Sequence, residues 1–344
     1  MKKIKQSLSL MLISSLLLTS CENDKVDVSM YIYNSADTFM FSLQKGIEGH
    51  LSELGYSYNV YDAKLSQIVQ NEAIVNSMDK KDSRLYVVNP VDRLSAGAII
   101  EKANKNDYPV IFFNREPLSQ DMELGRKQNK NLFYVGTDPT FEGKTQAKML
   151  MPILGPADNL NRFYDRNEDG IIQMILIKGE IGHQDTDRRS DGALEEFAEN
   201  GYKVSVLESV YCNWNRELAS QSMEKIIDDY GSQIELIVSN NDDMALGAID
   251  SLLKAGIYKE EEGFVQPFPI VGVDGTNVGL DYIRRGLLYG TIKNDGELQS
   301  EMVSELAKRI LNNQEIDSSF PFPTDDGYSF YVEGNGVTKE TLDQ

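Results

Sequence analysis

Cysteine is nearly missing from this chain: its 344 residues include only Cys21 and Cys212. A disulfide framework is therefore not available to it. No histidine stands near Cys212 in sequence, so that thiol reads as a small packed residue and not as an activated nucleophile. Positive charge is also scarce. Lys and Arg number 34 against 54 Asp and Glu, a formal charge of -20, which repels phosphate backbones and argues against nucleic-acid binding. Long apolar runs are confined to one place, Leu8–Leu18, too short for a comfortable membrane span. There is no sustained heptad, internal repeat or low-complexity tract. No G-x-x-x-x-G-K-[ST] motif occurs either, so the chain does not read as an ATPase. What remains is 41% hydrophobic residues in a length suited to two domains, each with a core of its own.

The N-terminus reads as a processing segment. Lys2, Lys3 and Lys5 precede the apolar run, and Leu18-Thr19-Ser20-Cys21 follows it. This pattern resembles a bacterial lipobox, so residues 1–20 are expected to be a lipoprotein signal peptide. Cys21 is then the lipidated first residue, and 21–27 form a short tether.

Further on, short β-rich runs alternate with segments of helical periodicity. Val28–Tyr33, Leu85–Val88, Val110–Phe113, Ile172–Ile177, Val204–Leu207, Leu236–Val238, Ile270–Val273 and Gly290–Ile292 read as strands. Phe39–Leu54, Ala193–Glu199, Leu218–Ile227, Met244–Leu253 and Leu298–Leu311 read as helices. Strict alternation with near-continuous apolar strands predicts an α/β fold with parallel sheets covered on both faces. The series is too long for one ordinary sheet, so two lobes are expected.

Ligands of open parallel sheets bind beyond the carboxyl ends of the strands. Asp37 and Phe39 follow the first predicted strand, and Asn114 follows Val110–Phe113. His183, Asp185 and Arg189 follow Ile172–Ile177, and Trp214 lies after the Val204 strand. Asn241, Asp274 and Asn294 follow the next three. Asp accepts, Arg donates in a fixed fork, and Asn does both, which suits a ring of hydroxyls. Phe39 and Trp214 would pack on the C–H faces of a sugar. Taken singly, any Asn or Asp here is as well explained as a turn former or helix cap. The set contains no glutamate, which weighs against a glycoside hydrolase with paired carboxylates. A sugar-responsive repressor would need a basic face and an N-terminal helix-turn-helix, and neither is present.

The stretch Asp165-Arg166-Asn167-Glu168-Asp169-Gly170 matches the first half of an EF-hand loop, with oxygens from Asp165, Asn167 and Asp169, the carbonyl of Ile171 and the side chain of Gln173. Position 12 is Leu176 instead of glutamate. Either a distant carboxylate completes the shell or the segment is a polar turn.

The chain resembles the bacterial galactose/glucose-binding proteins of the type I periplasmic binding protein group, from about Val28 to Leu342. The likeness rests on Val110-Ile111-Phe112-Phe113-Asn114-Arg115-Glu116-Pro117, Tyr134-Val135-Gly136-Thr137-Asp138, the 165–173 loop, Lys178–Asp185, Ser239-Asn240-Asn241-Asp242, Val271-Gly272-Val273-Asp274 and Gly290–Asp295. It implies two Rossmann-like lobes joined by a three-segment hinge, crossing near Gly136, Asn294 and Tyr328. Residues 28–136 and 295–328 would form one lobe, and 137–294 and 329–344 the other. It implies no enzymatic activity. Asp37, Phe39, Asn114, His183, Asp185, Arg189, Trp214, Asn241, Asp274 and Asn294 are the implied contacts to galactose or glucose. Glu235 is implied as the remote carboxylate of a structural Ca2+ site with Asp165, Asn167, Asp169, Ile171 and Gln173. The implied partners are an ABC-type sugar permease and a chemoreceptor, with the protein acting as a monomer on the extracytoplasmic face of the membrane. Asn34, Ser35 and Ala36 are smaller and less charged than the family's usual residues, and 257–267 is longer, which leaves another monosaccharide or a signalling molecule as the alternative ligand.

Overall fold

The computed structural model describes residues 25–342; the segment read as a signal peptide, Cys21 and most of the expected tether lie outside the described residues. In the first lobe, β1 (Val26–Ile32), β2 (Tyr58–Asp62), β3 (Ser83–Val88), β4 (Val110–Phe113) and β5 (Leu132–Thr137) alternate with α1 (Thr38–Glu53), α2 (Gln67–Lys80), α3 (Ala96–Asn104) and α4 (Ser119–Arg126). The second lobe starts with α5 (Pro139–Leu154), β6 (Ile172–Lys178), α6 (Gln184–Glu199), β7 (Val204–Tyr211) and α7 (Arg216–Tyr230). It continues with β8 (Leu236–Ser239), α8 (Asp242–Lys254), β9 (Ile270–Asp274), α9 (Asn277–Arg284) and β10 (Gly290–Lys293). The chain then returns to the first lobe as α10 (Gly296–Leu311) and β11 (Ser329–Val332), and ends in the second with β12 (Asn335–Thr338).

Each lobe is built on a six-stranded sheet, ordered β11-β5-β4-β3-β1-β2 and β12-β10-β9-β8-β6-β7. Every pairing is parallel except β10 with β12. The two-residue period of the strands divides each core into two faces. Val28, Met30 and Ile32 pack toward α1 and α10, while Tyr31, Tyr86 and Phe112 turn to the side of α2 and α3. In the second lobe Met174 and Leu176 face α5 and α6, and Ile175 and Ile177 face α7 and α8. This is the two-sided burial that the apolar runs predict.

The chain crosses between lobes three times: after β5, after β10, and between Val332 and Asn335. The last crossing corrects the sequence reading, which put it near Tyr328 and gave 329–344 to the second lobe. β11 extends the first sheet instead, with Ser329 beside Tyr134 and Val332 beside Thr137. Phe330 and Val332 are buried in the first lobe's core, which holds the strand there.

Candidate functional site

The carboxyl ends of both sheets meet around one cavity of about 360 Å³ of space between atoms. Nine of the ten residues predicted from sequence line it: Asp37, Phe39 and Asn114 from the first lobe, and His183, Asp185, Arg189, Trp214, Asn241 and Asp274 from the second. The tenth, Asn294, is buried just behind. Its backbone N–H donates to the Asp274 carbonyl (3.1 Å), and its Oδ1 accepts from Gln299 (3.0 Å).

The first lobe's wall is made where strands end. Asp37 caps α1, its Oδ1 accepting from the Met40 N–H at 2.8 Å, while its Oδ2 accepts from the Tyr33 hydroxyl at 2.5 Å. The Arg115 guanidinium lies over the Tyr33 ring, 3.8 Å from its centre. Asn114 follows β4 in the left-handed region (φ 59°), a conformation asparagine tolerates better than most residues. Its N–H donates to Val135 (2.9 Å), and its Oδ1 accepts from Asn89 (3.1 Å).

The second lobe's wall carries the charge. His183 caps α6 through Nδ1, which accepts from the Asp185 N–H at 3.1 Å, so the neutral ring keeps its proton on Nε2. Burial, reinforced by Arg115, Arg189 and Arg93, holds this imidazole well below its ordinary pKa, so it is neutral at physiological pH. One helical turn on, Arg189 reaches Asp185 at 3.5 Å, bonds Glu142 at 2.6 Å and donates to the Asn240 carbonyl at 2.9 Å. Burial alone would lower the Arg189 pKa, but Glu142, Asp185 and Asp274 outweigh it and keep the guanidinium firmly charged. Gly143 makes the Glu142 contact feasible, because a β-carbon there would lie 2.1 Å from the Arg189 carbonyl oxygen and force α5 off α6. Trp214, at φ 60°, lays its ring against Gly179, where a β-carbon would meet the indole at 2.2 Å. Its ring centre is 5.0 Å from that of His183.

Asp274 closes β9 at φ 115°, outside the usual regions for a side-chain-bearing residue. The turn after it is held from behind by buried Asp242. That carboxylate accepts from the Thr291 hydroxyl (2.6 Å) and from the Thr276 N–H (2.8 Å) and hydroxyl (3.0 Å). Burial raises the Asp274 carboxyl well above the carboxylate range against the pull of Arg189, and Asp242, Asp37 and Asp243 raise it further. Asp185 is likewise raised by burial, against Arg189 and Arg115.

Capping and lining are not alternatives here. Asp37, His183 and Asn241 each cap a helix and each line the cavity. Sequence reasoning missed Tyr33, Met40 and Arg115, which also line it, and Glu142, which braces it; Asn240 and Asp242, which brace it too, stand beside Asn241 at a strand end but were not counted as site residues. Tyr33 and Arg115 were within reach of the strand-end rule, since they sit one and two residues past β1 and β4. Glu142 lies in the first turn of α5 and reads as an ordinary helix-start acid.

The 165–173 loop folds around its own oxygens. Asp165 accepts from the N–H groups of Asp169 (3.2 Å) and Gly170 (3.1 Å), and Asp169 Oδ2 accepts from Asn167 (2.9 Å) and Gln173 (3.0 Å). Glu235 does reach this loop: its two oxygens accept from the Arg166 N–H (2.7 Å) and the Gln173 N–H (3.1 Å). The Gln173 Oε1 is buried without a partner. Among the described residues no group of three or more His, Cys, Asp or Glu side chains is gathered tightly enough to hold a metal by itself. A cation here would draw on amide and carbonyl oxygens as well, a donor set that suits a hard ion such as Ca2+.

A periplasmic binding protein domain model matches residues 28–315. The chain belongs to that family. It is a substrate-binding protein and not an enzyme, and the family's place is outside the cytoplasm. It is 30% identical over 294 residues to the D-galactose/methyl-galactoside binding periplasmic protein of Haemophilus influenzae, covering 85% of this chain and 83% of the relative. It is 22% identical to the ribose import binding protein of the same organism, covering 93% and 97%. Among solved structures it is similar to an ABC transporter periplasmic solute binding protein from Actinobacillus succinogenes with bound D-allose (TM-score 0.76, 23% identity, 93% and 99% covered). A solute binding protein from Bacillus halodurans with bound myo-inositol gives a TM-score of 0.74 at 21% identity, with 94% and 98% covered. These structures share its two-lobed α/β fold.

Proposed function

We propose that this protein captures a hexopyranose, galactose or glucose, between its lobes and presents it to an ABC-type permease, without chemistry on the sugar. The observation that carries the reading is the convergence of Asp37, Asn114, Asp185, Arg189, Asn241 and Asp274 with Phe39 and Trp214 on one interlobe cavity. Carboxyl groups accept from sugar hydroxyls and, where they keep a proton as Asp274 does, also donate; the guanidinium donates, and the asparagines do both. Charge-assisted bonds of this kind are roughly twice as strong as neutral ones. The aromatic faces take the C–H surfaces of the ring. Closure of the lobes on the ligand follows if contacts from both walls are made together only in the closed form. The galactose-binding relative supports the hexose, and the ribose-binding relative names the pentose to test against it.

Titration of glucose, galactose, ribose and xylose against the fluorescence of Trp214, the chain's single tryptophan, tests this directly. Saturation by glucose or galactose in the micromolar range or below, about -8 kcal/mol or better, is the expected result. Saturation by a pentose alone would replace the hexose, and no response in fluorescence or calorimetry would remove the sugar.

The same reading includes a structural Ca2+ held by Asp165, Asn167, Asp169, the Ile171 carbonyl, Gln173 and Glu235, well away from the sugar contacts. Bound only by the folded state, it would stabilise by mass action. Glu235→Gln should abolish the drop in melting temperature that a chelator causes in the unaltered protein; a chelator without effect on the unaltered protein would remove the metal from the reading. Lipid anchoring at Cys21 and docking on a chemoreceptor complete the proposal, the first testable by labelling with a radioactive fatty acid.

A further inference from the structure

The lobes already touch each other. Thr38 donates to Asp243 at 2.7 Å, Arg115 pairs with Glu180 at 3.0 Å, and Gln184 donates to Glu116 at 2.7 Å, each bond joining one lobe to the other. With those contacts made, a groove open to solvent still lies between the walls, outside the inner cavity. Tyr33, Asp37 and Trp214 line both. The rim these three form is common to both spaces, so a substituent that passes it from the inner cavity would enter the groove.

The groove has a definite chemistry. Its first-lobe wall includes Asn34, Ala36 and Leu65, and the small residues at 34 and 36 leave the rim open. Glu180, Glu217, Asp243 and Asp250 supply carboxylates, and among the described residues lining the groove Arg216 is the only cation. Arg216 is itself engaged, by two bonds of 2.7 Å to Asp250 and one of 2.9 Å to Tyr282. Glu180 and Asp250 are paired with Arg115 and Arg216, and an anionic group placed here would still meet the negative charge of Asp37, Glu217 and Asp243. A neutral polyol would find acceptors for its hydroxyls, and Leu65, Leu218 and Val278, all exposed, would pack on C–H surfaces.

We infer that the groove is a second subsite, which takes a neutral substituent joined to the ring in the inner cavity. The ligand range then extends from the free hexose to neutral disaccharides, and excludes sugar phosphates and uronates. This rests on the hexose reading above and specifies its ligand class.

Calorimetry on the purified full chain tests it, with glucose, galactose, lactose, melibiose, maltose, cellobiose, glucose 6-phosphate and galacturonate as probes. The expected result is at least one disaccharide within about tenfold of the better monosaccharide, with both anions weaker by about a hundredfold or more. Ala36→Trp and Val278→Trp, which fill the groove from opposite walls, should each cost the disaccharide about tenfold and leave the monosaccharide within about threefold. Monosaccharide binding with every disaccharide weaker by more than about tenfold would overturn the subsite and leave the hexose reading standing. Disaccharide binding that neither variant alters would also overturn it, as would tight binding of an anion. Absence of any sugar binding would overturn both.

Discussion

The two walls of the cleft solve the same problem differently. The second lobe presents a buried ionic network in which Arg189 is gripped by Glu142, Asp185 and a backbone carbonyl, with Asp274 nearby and Asp242 behind it. The first lobe presents Asp37 and Asn114 on a cap and a turn, held by the neutral groups Tyr33, Met40 and Asn89. One wall is rigid because undoing it would strand charge in a dry interior. The other is held by bonds to neutral partners. The difference suggests a division of labour, with the second lobe fixing the ligand's orientation and the first acting as its cover.

The largest effect should come from breaking the charged wall. Arg189→Met leaves Glu142 and Asp185 buried without their cation, and a loss of about 3–5 kcal/mol in chemical denaturation is expected. A loss below about 1 kcal/mol would mean that the network is not what stiffens this lobe.

Asp242 sharpens the contrast through pH. Burial, opposed by its accepted hydrogen bonds and aided by Asp243, pushes its carboxyl from 3.8 up to about 7. Between those values the unfolded chain releases a proton that the folded chain keeps. Stability therefore falls as pH rises through this window, by at most about 1.4 kcal/mol per unit, and is flat above it. An asparagine at this position would carry no such proton, so the unaltered protein should lose ground to Asp242→Asn from about pH 4 to about pH 7 in melting experiments. Parallel profiles would show the carboxyl to be ionised throughout.

On the other wall, Asp37→Ala removes a helix cap and a ligand contact together. Stability should fall by about 1 kcal/mol, while sugar affinity falls far more. Equal losses in both would reduce Asp37 to a cap. The smallest effect is expected from Thr38→Val, which removes one exposed bond between the lobes. Affinity should fall by less than about tenfold with melting unchanged, and a larger loss would move the cover's grip from Asp37 to this bond.

How far the sequence could be read depended on which residues each element buries. β4, β8 and β9 are buried along their whole length, and their apolar runs announced them. β2 is a half-buried edge strand, Tyr58-Asn59-Val60-Tyr61-Asp62, with no such run, and it went unread. α6 is more instructive. Its apolar pattern begins only at Ala193, yet the helix starts at Gln184, because its first turns bury Gln184, Asp185, Thr186, Arg189 and Ser190 against the site. Periodicity that counts only apolar residues is blind where function makes the buried face polar. α5 was hidden for another reason: Pro152 lies inside it, and Glu142 and Gln146 are among its buried residues. The cavity residues were legible because strand ends are places the sequence marks. Glu142 was not, since only the packing of α5 on α6 gives it a partner, and the bracing role of Asp242, though it follows β8, depends on β9 and β10 packing around α8.

The three crossings also impose an order on how the chain can assemble. The second lobe's elements from α5 to β10 are contiguous, and only β12 arrives late, at an edge. The first lobe's core needs Met302, Val303, Leu306 and Phe330, which arrive after the second lobe's elements from α5 to β10 have been made. Its loop closure spans more than half of the chain, and contacts that distant in sequence form slowly. During synthesis the lobe that begins first should thus close its core only after the α5–β10 body of the other is complete, its β1–β5 sheet waiting, half-covered, for α10.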